Sequence, residues 1–138
     1  MAFEGPLEDR LAIRELVDTY NDAVARRDAA AWEATWAEDA VWDLLGHVVT
    51  GRHAIVATWR GAMDAFSYVG FVASPGAITV TGETATARFF VKETLVSAGD
   101  EAVRRVEGRY DDELQKKDGG WVFTKRAYQI LHDQTTKA

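Results

Sequence analysis

The spacing of apolar residues changes along the chain, mainly helical up to about residue 65 and alternating beyond it. Ile13, Leu16, Val17, Tyr20 and Val24 recur at helical spacing and predict an amphipathic helix with Tyr20 near the centre of its apolar stripe. Asp22 falls on the opposite, solvated face. Pro6, Glu8 and Asp9 suit the first turn, since proline fits that position and acids favour the positive helix end. Met1 to Gly5 read as a loose end. Asp28 is a suitable N-cap for a short second helix, Ala29 to Trp36, with Trp32 and Trp36 on its inner face. Val41 to Leu45 reads as a strand with Trp42 and Leu44 on one parity, ended by Gly46. After Gly51 a third amphipathic helix carries Ile55, Val56, Trp59 and Met63 on one side and closes near Ala65.

The remainder predicts strands at Phe66–Ser74, Ala77–Thr81, Thr84–Ser97, Val103–Lys116 and Trp121–His132, separated by turn-forming residues such as Lys117-Asp118-Gly119-Gly120. Helices followed by strands, rather than alternating with them, predict an α+β domain in which a twisted antiparallel sheet curls over helix and leaves a conical cavity. The run from Ala85 to Ser97 alternates most clearly. One parity holds Ala85, Ala87, Phe89, Val91, Glu93 and Leu95, so a carboxylate stands among apolar residues. Such a group is a structural ion pair, a working group in a pocket, or a residue turned to solvent by a bulge.

At 138 residues the chain has the length of one domain, spanning 1–138. A net charge of −6 without a basic cluster gives no footprint for nucleic acid or an anionic membrane. The absence of cysteine excludes disulfides, thiolate metal sites and thiol nucleophiles. No apolar run reaches the ~20 residues of a membrane span and no signal peptide is evident, so a cytoplasmic protein is expected.

Several stretches together resemble the SnoaL-like branch of the nuclear transport factor 2-like superfamily. They are Ile13-Arg14-Glu15-Leu16 with Tyr20, then Asp28, Trp32, Trp36 and Glu38-Asp39-Ala40-Val41-Trp42, then Gly51, Gly108-Arg109-Tyr110-Asp111-Asp112 and the closing run from Lys117 to Arg126. The resemblance implies a cone-shaped α+β barrel, a curled antiparallel sheet packed on three N-terminal helices. It also implies an apolar pocket and a homodimer. Members include dehydratases, dehydrochlorinases, isomerases and polyketide cyclases, and modules that only bind, so the site must decide function. By the same resemblance Tyr20, Trp42 and Arg126 match pocket positions and Glu93 a catalytic acid. The lyases' histidine and acid are absent: Ala25 stands at the acid's position, and one of Phe71, Val72, Ala73 or Ser74 at the histidine's.

The expected chemistry is acid–base catalysis without a cofactor: dehydration, isomerisation or ring closure of a small apolar or aromatic carbonyl compound. Glu93 serves as base, Tyr20 as donor and Arg126 as oxyanion stabiliser. The alternatives are that Glu93 and Arg126 simply pair, and that the chain is a non-catalytic binding or dimerisation module. Arg126, Tyr128, Ile130 and His132 share a parity, so Tyr128 and His132 are expected to follow Arg126 inward, with His132 a candidate replacement for the missing histidine. Trp42, Trp59, Phe71, Phe89 and Tyr128 are candidate ligand walls. His47 and His53 are expected in a loop and on the surface, and no metal site is expected. Asp111 and Asp112 point to opposite faces and cannot converge as a carboxylate pair unless the strand bulges; the alternative is that one of them pairs with a nearby arginine.

Overall fold

Residues 2–137 are described by a computed structural model. Helix α1 spans Leu7–Arg26, α2 Ala29–Glu33 and α3 Arg52–Met63. Strands are β1 (Phe3–Glu4), β2 (Trp36–Leu44), β3 (His47–Thr50), β4 (Phe66–Thr81), β5 (Thr84–Ser97), β6 (Val103–Lys117) and β7 (Gly120–Thr136). They form one sheet in the order β1-β4-β5-β6-β7-β2-β3. The α+β architecture is the expected one, three helices on a curled sheet. The sheet does not close on itself: β1 and β3 remain its edges.

The helices seat as their stripes dictate. Ile13, Val17, Tyr20, Ala23 and Val24 of α1 are buried, and Asp22 is exposed. The Asp9 carboxylate in the first turn accepts from the Trp121 indole and from Lys116, each at 3.1 Å, which ties α1 to the β6–β7 hairpin. At the other end Arg27 adopts a left-handed conformation (φ 53°) and donates to the carbonyls of Met63 and Phe66. That ties α1 to the end of α3 and the start of β4. The Asp28 side chain caps α2 by accepting from the Ala31 amide at 3.0 Å. Gly51, at φ 92°, supplies the turn into α3 that an L side chain resists.

Several elements differ from expectation for identifiable reasons. Helix α2 stops at Glu33 and Trp36 opens β2, because the Thr35 carbonyl accepts from the Phe123 amide of β7 at 2.9 Å. Beside it Trp36 and Phe123 stand in parallel register. Phe66–Ser74 and Ala77–Thr81 are one strand, since β4 stays paired to the long β5 template across an irregularity between Pro75 and Ala77. Phe3–Glu4, expected to be loose, pairs in parallel with Ile78–Thr79. Met1 lies outside the described residues. His47 belongs to β3 rather than a loop, although it is exposed. The sheet is therefore mixed, antiparallel except for the β1–β4 and β2–β7 pairs.

The core lies between the concave face and the helices. Trp32 and Trp59 stack with centroids 4.6 Å apart at 11°, and Tyr20, Trp36 and Trp42 surround them at 5.4–5.7 Å from Trp32 or Trp36 in tilted or edge-on contacts. Tyr20, Trp42 and Trp59 of this aromatic cluster also line a cavity between sheet and helices.

Candidate active site

The alternation of β5 holds over the stretch that matters: Ala85, Ala87, Phe89, Val91 and Leu95 are buried and Glu93 shares their face. Across the ladders Glu93 stands opposite Phe71 of β4 and Val106 of β6. It opens into a cavity of about 330 Å³ between the sheet and helices α1 and α3. Tyr20 and Val24 come from α1, Trp59 and Met63 from α3, Trp42 and Leu44 from β2, Phe71 from β4, Leu95 from β5, Tyr110 from β6, and Tyr128 and Ile130 from β7. A larger hollow, about 430 Å³, lies among Thr79, Thr81, Thr84, Thr86 and Glu113, but hydroxyls line most of it and a single carboxylate stands there with no phenol or arginine beside it. The inner cavity is the candidate site because a carboxyl, phenols and apolar walls converge there.

Burial pushes the Glu93 carboxyl up to about 7, against the opposing pull of the Tyr128 hydroxyl and the Arg104 charge. The Tyr128 hydroxyl is close enough to favour ionised Glu93, yet falls short of full hydrogen-bond geometry and has no other partner. Burial, then the facing Glu93 charge, raises the Tyr128 phenol. The Tyr20 phenol is also raised by burial, with the Arg126 charge opposing. Tyr110 accepts from the Trp42 indole N–H at 2.9 Å, which fixes both rings in the cavity wall. At the rim Arg104 holds Asp133 in a two-pronged contact of 2.9 and 2.6 Å.

Glu93, Tyr20, Trp42, Trp59, Phe71 and Tyr128 thus line one cavity. Three expected residues do not. Arg126 is fully buried behind the wall and bonds Asp112 at 2.8 and 3.1 Å, with both side chains 0% exposed. Its guanidinium lies 3.9 Å from the Tyr110 ring centre, 4.2 Å from Phe123 and 4.6 Å from Tyr20. It is a core charge with its own carboxylate, so neither pairing with Glu93 nor stabilising an oxyanion is available to it. Phe89 is a core residue, 1% exposed, and does not reach the cavity. His132 is exposed. The β6–β7 register slips by one residue at Leu131, between the Gly108–Ile130 and Glu107–His132 pairs, which turns His132 outward. That slip also brings Asp133 to Arg104.

Sequence reasoning passed over Arg104, Gly108 and Tyr110 as site residues. Their signal was the shared parity of Arg104, Val106, Gly108, Tyr110 and Asp112, which all face inward on β6. Among the described residues no three of His, Asp or Glu converge as a metal-binding group.

A family model for the SnoaL-like domain matches residues 5–127. The chain belongs to the SnoaL-like domain family. Solved structures agree with this SnoaL-like fold. A candidate aromatic ring hydroxylase from Novosphingobium aromaticivorans superposes with TM-score 0.87 at 29% identity, covering 97% of this chain and 96% of that one. A candidate scytalone dehydratase from the same organism gives TM-score 0.86 at 22% identity, covering 93% and 87%. A type 2 hexachlorocyclohexane dehydrochlorinase, LinA, gives 0.87 at 16% identity, covering 94% and 90%. At such identities the last two show the shared fold alone. No protein with a curated description matches the sequence. Among the described residues of this SnoaL-like chain no helix is long and apolar enough to cross a membrane.

Proposed function

We propose that this SnoaL-like protein is a cofactor-free acid–base enzyme that removes a proton beside the carbonyl of a small apolar or aromatic compound, leading to dehydration, isomerisation or ring closure. The observation that carries this reading is Glu93, a carboxyl poised near neutrality inside an apolar cavity of about 330 Å³. A general base is most effective when its pKa lies near the working pH. Tyr20 is the phenol donor on the α1 side, and Trp42, Trp59 and Phe71 are the walls for a ring. Filling the cavity displaces about eleven waters' worth of volume at ~30 Å³ each, room for a small ring compound. The likeness to a candidate scytalone dehydratase and to a dehydrochlorinase supports a lyase-type outcome.

The test is hydrogen exchange. Aryl and alicyclic ketones in D₂O should exchange their α-protons in the presence of the protein, and Glu93→Gln should slow that by about 10²–10⁴. Equal rates in both proteins sink the reading.

A second reading is favoured by one observation: Arg126 is committed to Asp112. In that reading the chain binds a ring compound without turning it over. Ligand-induced thermal shifts without proton exchange by any ketone would support it. Our reading also includes a homodimer in the cytoplasm. The exposed Val72, Phe90 and Leu131, 60%, 46% and 50% accessible, support the dimer as an apolar face on the outside of the sheet.

A further inference from the structure

The inner face of β6 carries buried or half-buried side chains at Arg104, Val106, Tyr110 and Asp112, and nothing at all at Gly108. A methyl group at 108 would collide with the Tyr128 hydroxyl oxygen and with two carbons of its ring. The glycine is therefore the seat of Tyr128: the ring lies where a side chain at 108 would be. Tyr110 backs the same ring at 4.7 Å. Held between Gly108 and Tyr110, Tyr128 directs its hydroxyl toward Glu93. That oxygen is buried and finds no complete hydrogen bond elsewhere. A buried donor left unpaired is unfavourable, so its placement calls for a partner that arrives or changes charge.

We propose that Gly108 and Tyr128 form a device that sets the orientation and ionisation of Glu93, with Tyr128 as a positioning residue whose hydroxyl completes its bond when the Glu93 carboxyl is ionised. This rests on Glu93 being the working acid of the cavity. In the neutral enzyme the carboxyl stands beside the phenol. Once it loses its proton, the phenol O–H donates to the carboxylate, and the bond becomes charge-assisted. The ionised base is thereby kept facing the cavity instead of turning toward the rim, where Arg104 competes for it. Charged and titratable groups around Glu93 are Tyr20 from α1, Arg104 and Tyr110 from β6, and Tyr128 and Asp133 from β7. Its neighbour on β4 is Phe71, which does not titrate. Among them the Tyr128 hydroxyl is buried and makes no complete hydrogen bond.

The test is a carboxyl-carbon NMR titration of Glu93 in the full-length wild type, Tyr128→Phe, Gly108→Ala and the double variant, each checked for folding by circular dichroism. Tyr128→Phe removes only the hydroxyl and should raise the midpoint by about one pH unit, a tenfold change in proton affinity. Gly108→Ala should raise it comparably by dislodging the ring. The double variant should rise no further than either single one, because both act through one hydroxyl. The pH profile of α-proton exchange should move by the same amount. Independence of the midpoint from Tyr128→Phe, or additive effects in the double variant, would overturn the proposal. A wild-type midpoint near 7 alongside an unmoved Tyr128→Phe midpoint would overturn this inference alone, leaving Glu93 as base. A wild-type midpoint near the ordinary glutamate value would overturn both.

Discussion

Replacing Glu93 by glutamine should change how stability depends on pH. The folded carboxyl takes up its proton at about 7, whereas a glutamate in water does so near 4.5. Between those values the native state binds more protons at this group than the unfolded one, so the stability Glu93 contributes is fully present below about 4.5 and is lost as pH rises through 7. The interval is about 2.5 units, and at 1.36 kcal/mol per unit the loss is about 3 kcal/mol. Glutamine does not titrate, so that slope is absent from the variant. Asp9, Asp28 and Asp133 have lowered pKa values and add a slope of opposite sign at lower pH, but it is common to both proteins and cancels in the difference. Urea unfolding at intervals from pH 4 to 8.5 should therefore show Glu93→Gln gaining about 3 kcal/mol on wild type as pH rises, with unchanged m-values. Parallel curves for the two proteins would refute the claim that burial perturbs this carboxyl.

Arg126→Met leaves a buried Asp112 without its partner and should cost about 3–5 kcal/mol by urea unfolding, whereas Arg126→Met with Asp112→Leu should recover most of that loss. His132→Ala should leave proton exchange within twofold of wild type, because the imidazole is outside the cavity; a loss of about tenfold or more would restore a role for it. Phe90→Glu, on the outer face, should convert a dimer to monomer in light scattering while the cavity still binds aromatic probes.

What could be read from the sequence was local. The alternation of Ala85 to Leu95 placed Glu93 on the inner face without knowledge of its neighbours, and the stripe around Tyr20 did the same for α1. Asp28 announced its capping bond because an N-cap is decided within four residues. The failures were events set by distant partners. Trp36 left its predicted helix because β7 captured the Thr35 carbonyl, a contact 88 positions away along the chain that no local period encodes. Irregularities near Thr124 and Leu131 each shift the β6–β7 register, and a one-residue slip exchanges the two faces of a strand. The first shift sets Arg126 opposite Asp112, and the second sends His132 outward. The absent side chain at Gly108 matters only once Tyr128 is known to lie against it.

The most direct test of the account is the titration of the Glu93 side-chain carboxyl in the wild-type protein, followed by carbon NMR with the glutamate resonances assigned through Glu93→Gln. A midpoint near 7 is the predicted result, since burial among Phe71, Leu95 and Val106 disfavours the charged form. A midpoint near 4.5 would mean a solvated carboxylate and would contradict the assignment of Glu93 as the base.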